Sequence, residues 1–277
     1  MAPCWRCGDD TGLDASSLCG AGVAGTMMPR VVASETLDRL AEDDPAAMRS
    51  RRDLQRVHRV MGTRGMVAQA LRRLTAPGSS GAPLRILELG AGDGSLMLGV
   101  ARALKGEWPA VELMLLDRHN LLDSATVAGY AEVGWTATAQ VMDVFDWAAV
   151  GEDPLRECNT SACWDVIVSN LFLHHFEGAP LASLLAAIAA RSGRFFACEP
   201  RRARLALAGS HLIGAIGANA VTRGDAVLSV HAGFRDKEIS ALWPAREAGW
   251  TLSEYSAGLF SHCFSAERIG IEGAARS

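Results

Sequence analysis

The segment 84–98, LRILELGAGDGSLML, constrains the fold of this chain more than any other part of the sequence. A short apolar run is followed at once by three glycines, and then by an apolar pattern with helical spacing. This order predicts a buried strand, a tight turn and a helix. Glycines let the backbone turn sharply and approach a ligand closely at the helix N-terminus. The segment therefore predicts the entrance to a nucleotide-binding α/β unit.

The spacing of the glycines separates the ligand classes that such a unit can bind. A dinucleotide fingerprint would need its third glycine at position 95, which is Ser95. A phosphate-binding P-loop would need a Gly-Lys-Ser/Thr ending, and the segment contains no lysine. What remains is Glu88, two positions before Gly90, followed by a G-x-G-x-G pattern. This pattern resembles the first motif of the class I S-adenosylmethionine-dependent methyltransferases.

Three later strands extend this resemblance. VELMLLD ends in Asp117, TATAQVMD ends in Asp143, and WDVIVSN ends in Asn170. In the family, the acid after the second strand accepts hydrogen bonds from the ribose, and the acid after the third faces the amine of adenine. A nicotinamide enzyme would also have the first of these acids, so Asp117 alone does not discriminate. Together the motifs cover roughly residues 84–268 in the family's order.

The resemblance implies S-adenosyl-L-methionine (SAM) as the cofactor. Its expected contacts are the glycine turn and the strand ends, namely Glu88, Gly90, Ala91, Gly92, Gly94, Asp117, Arg118, Met142, Asp143, Val144 and Asn170. No metal is expected, because the C-x-x-C pair of Cys4 and Cys7 lacks a fourth ligand nearby. Seven cysteines without regular spacing favour a reducing, cytoplasmic location.

Strands and helices alternate after residue 84, which predicts a doubly wound, mostly parallel α/β sheet. WTLSEYSAG and FSHCFSAERI, separated by a turn at Gly258, predict a closing hairpin. The resemblance implies a Rossmann-like sheet of seven strands with an antiparallel last strand. We expect a poorly ordered tail at 1–34, a helical cap at 35–76, and a SAM-binding domain at 84–270 with a substrate-side insertion at 201–234.

Helical spacing organises the predicted cap. Ser34 or Thr36 is expected to cap a first helix in ETLDRLAEDD, and Pro45 to begin the next one. Gly62 and Gly65 are expected to mark a break in the longer helical segment. The arginine-rich face of this segment is explained by solvent exposure or, if the helices cover the active site, by contacts of Arg51, Arg52 or Arg56 with an anionic substrate.

A histidine pair follows the fourth strand. His174 and His175 are the titratable groups nearest to the expected acceptor, so they are the predicted catalytic residues. The insertion adds polar residues in an apolar segment, and the predicted acceptor contacts are His174, His211, Asn219 and Arg223. Asp225 and His231 are further candidates in the insertion. Each polar residue of the insertion has the alternative role of satisfying a helix end.

The apolar insertion favours a small, largely hydrophobic acceptor. O-methylation is favoured over C-methylation, by resemblance to methyltransferases of bacterial secondary metabolism. With 27 basic and 31 acidic residues, the chain lacks the charge excess typical of nucleic-acid binders. No segment is expected to span a membrane. Two alternative functions stay open: an RNA-modifying methyltransferase guided by arginines, and a non-catalytic SAM-binding partner protein. Assembly as a homodimer also stays open.

Overall fold

A computed structural model of the chain describes residues 28–75, 82–149, 164–244 and 249–269. Most of the predicted tail, including its C-x-x-C pair, and most of the linker before the first strand lie outside the described residues. The strands are β1 (Leu84–Leu89), β2 (Val111–Asp117), β3 (Trp135–Val141), β4 (Val166–Asn170), β5 (Arg194–Pro200), β6 (Trp250–Ala257) and β7 (Ser261–Arg268). The helices are α1 (Pro45–Met61), α2 (Thr63–Leu74), α3 (Ser95–Leu104), α4 (Ser124–Ala131), α5 (Val144–Ala149), α6 (Gly178–Arg191), α7 (Arg204–Leu212), α8 (Ala220–Ala232) and α9 (Glu238–Leu242).

The strands form one seven-stranded sheet in the order β3-β2-β1-β4-β5-β7-β6. The first five strands are parallel, whereas β7 runs antiparallel to both β5 and β6. The predicted doubly wound sheet with a closing hairpin is therefore confirmed. Strand order reverses between β1 and β4, and in open α/β sheets ligands bind at the carboxyl ends of the strands next to such a reversal.

The two faces of the sheet are covered separately, as the alternation of side chains along β1 requires. Ile86 packs on the side of α2 and α3, in a core that includes Leu71 and Leu104. Leu87 points to the other side, where α6 contributes Leu184. Because both faces of β1 are buried, the turn that follows it is fixed between two packed layers.

One predicted helix is wrong. ETLDRLAEDD contains only a single 3₁₀ turn, Leu37–Arg39, and Thr36 makes no capping hydrogen bond with its side chain. Asp225 of α8 instead accepts hydrogen bonds from the backbone N–H groups of Thr36 and Leu37 at 2.7 and 2.9 Å. These two bonds fix the segment against α8, which lies far along the chain. The next prediction is confirmed in part: α1 begins at Pro45, and Gly62 ends it with a φ of 71°. Gly65, the second glycine of the expected break, lies inside α2 instead.

The insertion forms the pair α7 and α8, which are joined by a 3₁₀ turn at Ile213–Ile216. Helix α8 packs against α1 and against the 3₁₀ turn Leu37–Arg39. These elements lie at the end of the sheet where β4 and β5 finish. Among the described helices, none is long and apolar enough to cross a lipid bilayer.

Candidate active site

A cavity of about 530 Å³ opens at the carboxyl ends of β1, β2 and β4. Ten of the predicted cofactor residues line it: Glu88, Gly90, Ala91, Gly92, Asp117, Arg118, Met142, Asp143, Val144 and Asn170. Gly94 is absent from this lining, and its carbonyl accepts a hydrogen bond from the Tyr130 hydroxyl at 2.7 Å. The other walls come from the segment 32–38, from α1 and from the turn after β4.

The glycine turn has a geometry that excludes larger residues at its first position. Gly90 has a φ of 69°, and a Cβ there would lie 2.3 Å from the ring of Phe172. The backbone N–H groups of Gly90 and Ala91 both donate to the carbonyl of Leu116, at 2.9 and 3.1 Å. The turn is thus held against the end of β2 on one side and against the turn after β4 on the other.

Buried polar atoms at this end of the cavity are available to a ligand. Glu88 is 2% exposed, and its Oε2 has no hydrogen-bond partner among the described residues. Burial, reinforced by Asp93 and Asp117, raises the pKa of Glu88 well above its usual value. The Oδ1 of Asn170 is likewise buried and unpartnered within the described chain. Because buried polar atoms normally have partners, these two oxygens indicate a binding site for hydrogen-bond donors.

Asp117 and Asp143 are tied to the backbone of their own loops. Asp117 accepts hydrogen bonds from the N–H of Gly92 at 2.8 Å and from that of His119 at 3.0 Å. Asp143 accepts from the N–H of Phe145 at 2.8 Å, at the start of α5. An ionised carboxylate can accept about four hydrogen bonds. These contacts therefore orient both carboxylates and leave each able to accept further hydrogen bonds from a ligand.

His174 is the centre of a buried network at the other end of the cavity. Its Nδ1 lies 2.8 Å from Glu199 Oε2, and its Nε2 lies 3.4 Å from Glu35 Oε1. Ser229 also donates its hydroxyl to Glu35. Burial opposes a charge on His174, but the hydrogen bonds with Glu199 and then Glu35 outweigh it and raise the pKa of His174 to about 9.

Glu199 also fixes the turn that carries the histidines. Its carboxylate accepts hydrogen bonds from the N–H groups of Phe172, Leu173 and His174 at 3.0–3.3 Å. Four donors therefore converge on one fully buried carboxylate at the end of β5. These hydrogen bonds hold the turn after β4 against the end of β5.

His175 faces the cavity more openly. Its side chain is 23% exposed, and its Nδ1 lies 3.5 Å from Asp38 Oδ2. Its ring centroid is 4.3 Å from that of His174. Burial, and next the neighbouring His174, lower the pKa of His175. Arg118 holds Asp38 in place, with Nη2 3.1 Å from Asp38 Oδ1 and 2.8 Å from its carbonyl oxygen.

The predicted acceptor contacts in the insertion do not line this cavity. Asn219 is the N-cap of α8: its Oδ1 accepts from the N–H of Thr222 at 2.8 Å, and its Nδ2 donates to the carbonyl of Ala46 at 3.0 Å. His211 and Arg223 line a separate depression between α7 and α8. Only His174, of the four predicted residues, stands at the cavity. The alternative role of satisfying a helix end describes Asn219 correctly.

The three candidate arginines of α1 also differ in whether they reach the cavity. Arg51 lines the cavity and donates to the carbonyl of Glu42 at 2.7 Å. Arg52 donates to Met48 within the helix at 3.3 Å. Arg56 pairs with Asp53 at 3.2 Å and donates to the backbone after α7. Neither Arg52 nor Arg56 lines the cavity.

Several cavity residues carry no motif in the sequence: Glu35, Asp38, His58 and Ser229. His58 has a buried Nε2 without a partner among the described residues, and burial lowers its pKa to about 4. The helical spacing of α1 could have placed His58 on the inner face. No local pattern predicts a role for Glu35, because its segment is held by the bonds from Thr36 and Leu37 to the distant Asp225.

Comparison with known proteins supports the fold. No protein-family model matches the sequence, and no curated protein matches it. Among solved structures, the plantazolicin methyltransferase BpumL in complex with SAH superposes with a TM-score of 0.56 at 12% identity, covering 82% of this chain and 91% of that one. The plantazolicin methyltransferase BamL, in complex with SAH and a triazolic desmethylPZN analog, gives 0.55 at 10% identity, covering 84% and 93%. The chain therefore has the Rossmann-like fold of class I SAM-dependent methyltransferases.

Proposed function

We propose that this protein is a SAM-dependent methyltransferase that acts on a small, largely hydrophobic acceptor, with an oxygen as the methylated atom. One observation carries the proposal. Ten residues predicted from methyltransferase motifs line one cavity at the reversal of strand order, and two buried oxygens there have no hydrogen-bond partner in the described part of the chain. The SAH complexes of BpumL and BamL, which share the fold, support the same choice of cofactor.

The cofactor end of the cavity fits a ligand with several hydrogen-bond donors. In the proposed complex, Glu88 and Asn170 accept hydrogen bonds in the part of the cavity next to the glycine turn. Asp117 accepts the ribose hydroxyls, which its remaining lone pairs allow. Asp143 faces the adenine amine. The close packing of Gly90 on Phe172 keeps this part of the cavity narrow.

SAM supplies a methyl group on a sulfonium sulfur: an acceptor oxygen lone pair forms the new C–O bond as the C–S pair returns to sulfur, and the hydroxyl proton leaves to water. The protein's task is mainly to position the acceptor, and positioning can contribute about 7–11 kcal/mol. His174 and His175 are the proposed catalytic residues, because they face the cavity beside the cofactor end. Phe172 and Phe176 supply apolar surface in the same wall.

Calorimetry with SAH and with NAD tests the proposal on the intact chain. We expect SAH to bind at one site per chain and NAD not to bind. Incubation with SAM and a panel of hydroxylated aromatic and polyketide-like compounds should then give products heavier by one CH₂, detected by mass spectrometry. Binding of NAD without SAH would overturn the cofactor assignment. SAH binding with no product from any acceptor would favour a non-catalytic role instead.

A further inference from the structure

Glu35, His174 and His175 present three potential metal ligands at the cavity. One ligand atom from each lies within 4.8 Å of the other two. The three residues come from the N-terminal segment and from the turn after β4, and all three line the cavity. No motif in the sequence connects Glu35 with the histidine pair, and the sequence alone predicts no metal.

The contact between His174 and Glu35 is long enough to admit an ion. Nδ1 of His174 faces Glu199, and Nε2 faces Glu35 Oε1. A cation bound between Nε2 and Oε1 would take the place of the proton on Nε2. The 3.4 Å separation of Nε2 and Oε1 exceeds the usual N–H···O range of about 2.7–3.2 Å. It matches the spacing of about 3.0–3.4 Å between neighbouring ligands that lie about 2.1 Å from one ion.

The surrounding contacts are those that usually orient metal ligands. A ligating histidine typically donates its second ring N–H to a carboxylate, and Glu199 takes that role for His174 at 2.8 Å. Glu199 is itself held by three backbone N–H groups. Ser229 donates to Glu35, so the carboxylate has a defined orientation. The site is thus organised around the space between the three side chains.

We propose that Glu35, His174 and His175 bind one divalent transition-metal cation, with Zn²⁺ as the representative ion. Two imidazoles and one carboxylate form the donor set found in His₂Glu zinc sites, and Mg²⁺ prefers oxygen ligands instead. Such sites keep an open position, and here it faces the cavity. Resting on the proposed function, that position would take the acceptor's hydroxyl oxygen, and the cation would favour loss of its proton.

The test is Zn²⁺ binding to metal-stripped protein, measured by competition with a chromogenic chelator. We expect the wild-type protein to bind one Zn²⁺ ion at this site in each chain. His175→Ala and Glu35→Gln should weaken binding by at least the 10–100-fold that losing an orienting partner typically costs. Neither substitution removes the buried His174–Glu199 pair, so both variants should fold, as circular dichroism will check.

Two controls separate this site from others. His211→Ala removes an imidazole in the separate depression between α7 and α8 and should leave Zn²⁺ binding unchanged. Cys4→Ser/Cys7→Ser removes the C-x-x-C pair and should leave one cation bound. If His175→Ala and Glu35→Gln bind Zn²⁺ as tightly as the wild type, or if only the cysteine variant loses it, the metal site is overturned.

SAH titration of the same proteins separates this inference from the proposed function. SAH binding without Zn²⁺ binding would overturn the metal site and leave the methyltransferase assignment standing. Zn²⁺ binding without SAH binding would do the reverse, because the cofactor end would then have been misassigned. Loss of Zn²⁺ with retained SAH affinity in His175→Ala is the result that supports both.

Discussion

The two ends of the cavity are held together in different ways. The cofactor end is built from short loops that follow consecutive strands, and its bonds run between neighbouring strand ends, such as Gly92 to Asp117 at 2.8 Å. The proposed acceptor end, which lies around Glu35 and His174, joins segments far apart in the chain, since Ser229 donates to Glu35 across 194 residues. The cofactor end therefore depends on local backbone geometry, whereas the acceptor end depends on tertiary packing.

The largest effect is expected from Gly90→Ala at the cofactor end. The new Cβ would meet Phe172 at 2.3 Å, and alanine disfavours a φ of 69°. Overpacking and backbone strain together should cost about 2–5 kcal/mol of unfolding free energy and should abolish tight SAH binding. Urea denaturation and calorimetry measure the two losses.

Gly106→Ala is the matched control for that change. Its φ is 82°, but a Cβ there meets nothing within 4 Å. Gly106→Ala should therefore lower the unfolding free energy only by the backbone strain, about 1 kcal/mol. Equal losses in the two variants would show that contact with Phe172 does not hold the glycine turn.

The second effect is a pH dependence from His58, which reaches the cavity from α1. Burial lowers its pKa from 6.5 to about 4, so the folded protein binds fewer protons than the unfolded chain between these values. Stability is therefore full above about pH 6.5 and falls as the pH drops toward 4. The loss attributable to His58 should reach up to about 3 kcal/mol.

His58→Gln should flatten that part of the stability profile, because the amide does not titrate. The measurement is urea denaturation at several pH values between 4 and 7 for both proteins. His211→Gln, at an exposed position of α7, is the control that should keep the wild-type slope. Identical slopes in wild type and His58→Gln would contradict the assignment.

Asp117→Ala tests the cofactor end by removing a hydrogen-bond acceptor, and it adds no strain to the glycine turn. Loss of a carboxylate that accepts hydrogen bonds should weaken SAH by about 1–3 kcal/mol, as calorimetry would show. Asp146→Ala, an exposed acid of α5, should leave the affinity unchanged. A folded Asp117→Ala protein with wild-type affinity would remove this residue from the cofactor site.

The smallest effect is expected at Asn219, outside the cavity. Asn219→Ala removes the cap of α8 and should lower the unfolding free energy by about 1–2 kcal/mol, with SAH affinity unchanged. Asn219→Ser keeps an oxygen that can cap the helix and should recover most of the loss. A change in SAH affinity without a change in stability would instead connect the insertion to the cofactor end.

The same division explains how much could be predicted from the sequence. The glycine turn and the acids after β2 and β3 are local features, so their spacing was enough to bring them to one cavity. Glu35 has no such spacing, because its position depends on Asp225 and Ser229 of α8. The helix predicted around Glu35 is reduced to one 3₁₀ turn, and Asp225 of α8 accepts hydrogen bonds from the N–H groups at the start of that turn.

The insertion shows the opposite error. Asn219 was predicted as an acceptor contact because a polar residue in an apolar segment suggests a ligand. Its side chain instead caps α8 and bonds to α1. Capping is itself a local feature, and the residue before a helix is commonly asparagine. The sequence could therefore have favoured the capping role if the start of α8 had been recognised.

The long-range bonds of the N-terminal segment also have a consequence during synthesis of the chain. Glu35 leaves the ribosome 139 residues before His174 and 194 residues before Ser229. Closing such long loops is slow and follows the formation of local structure. The turn after β1 can form while translation continues, whereas the acceptor end must wait until α8 has been synthesised. A stalled or truncated chain that ends before α8 would thus expose the segment 32–38 without the partners that hold it in place.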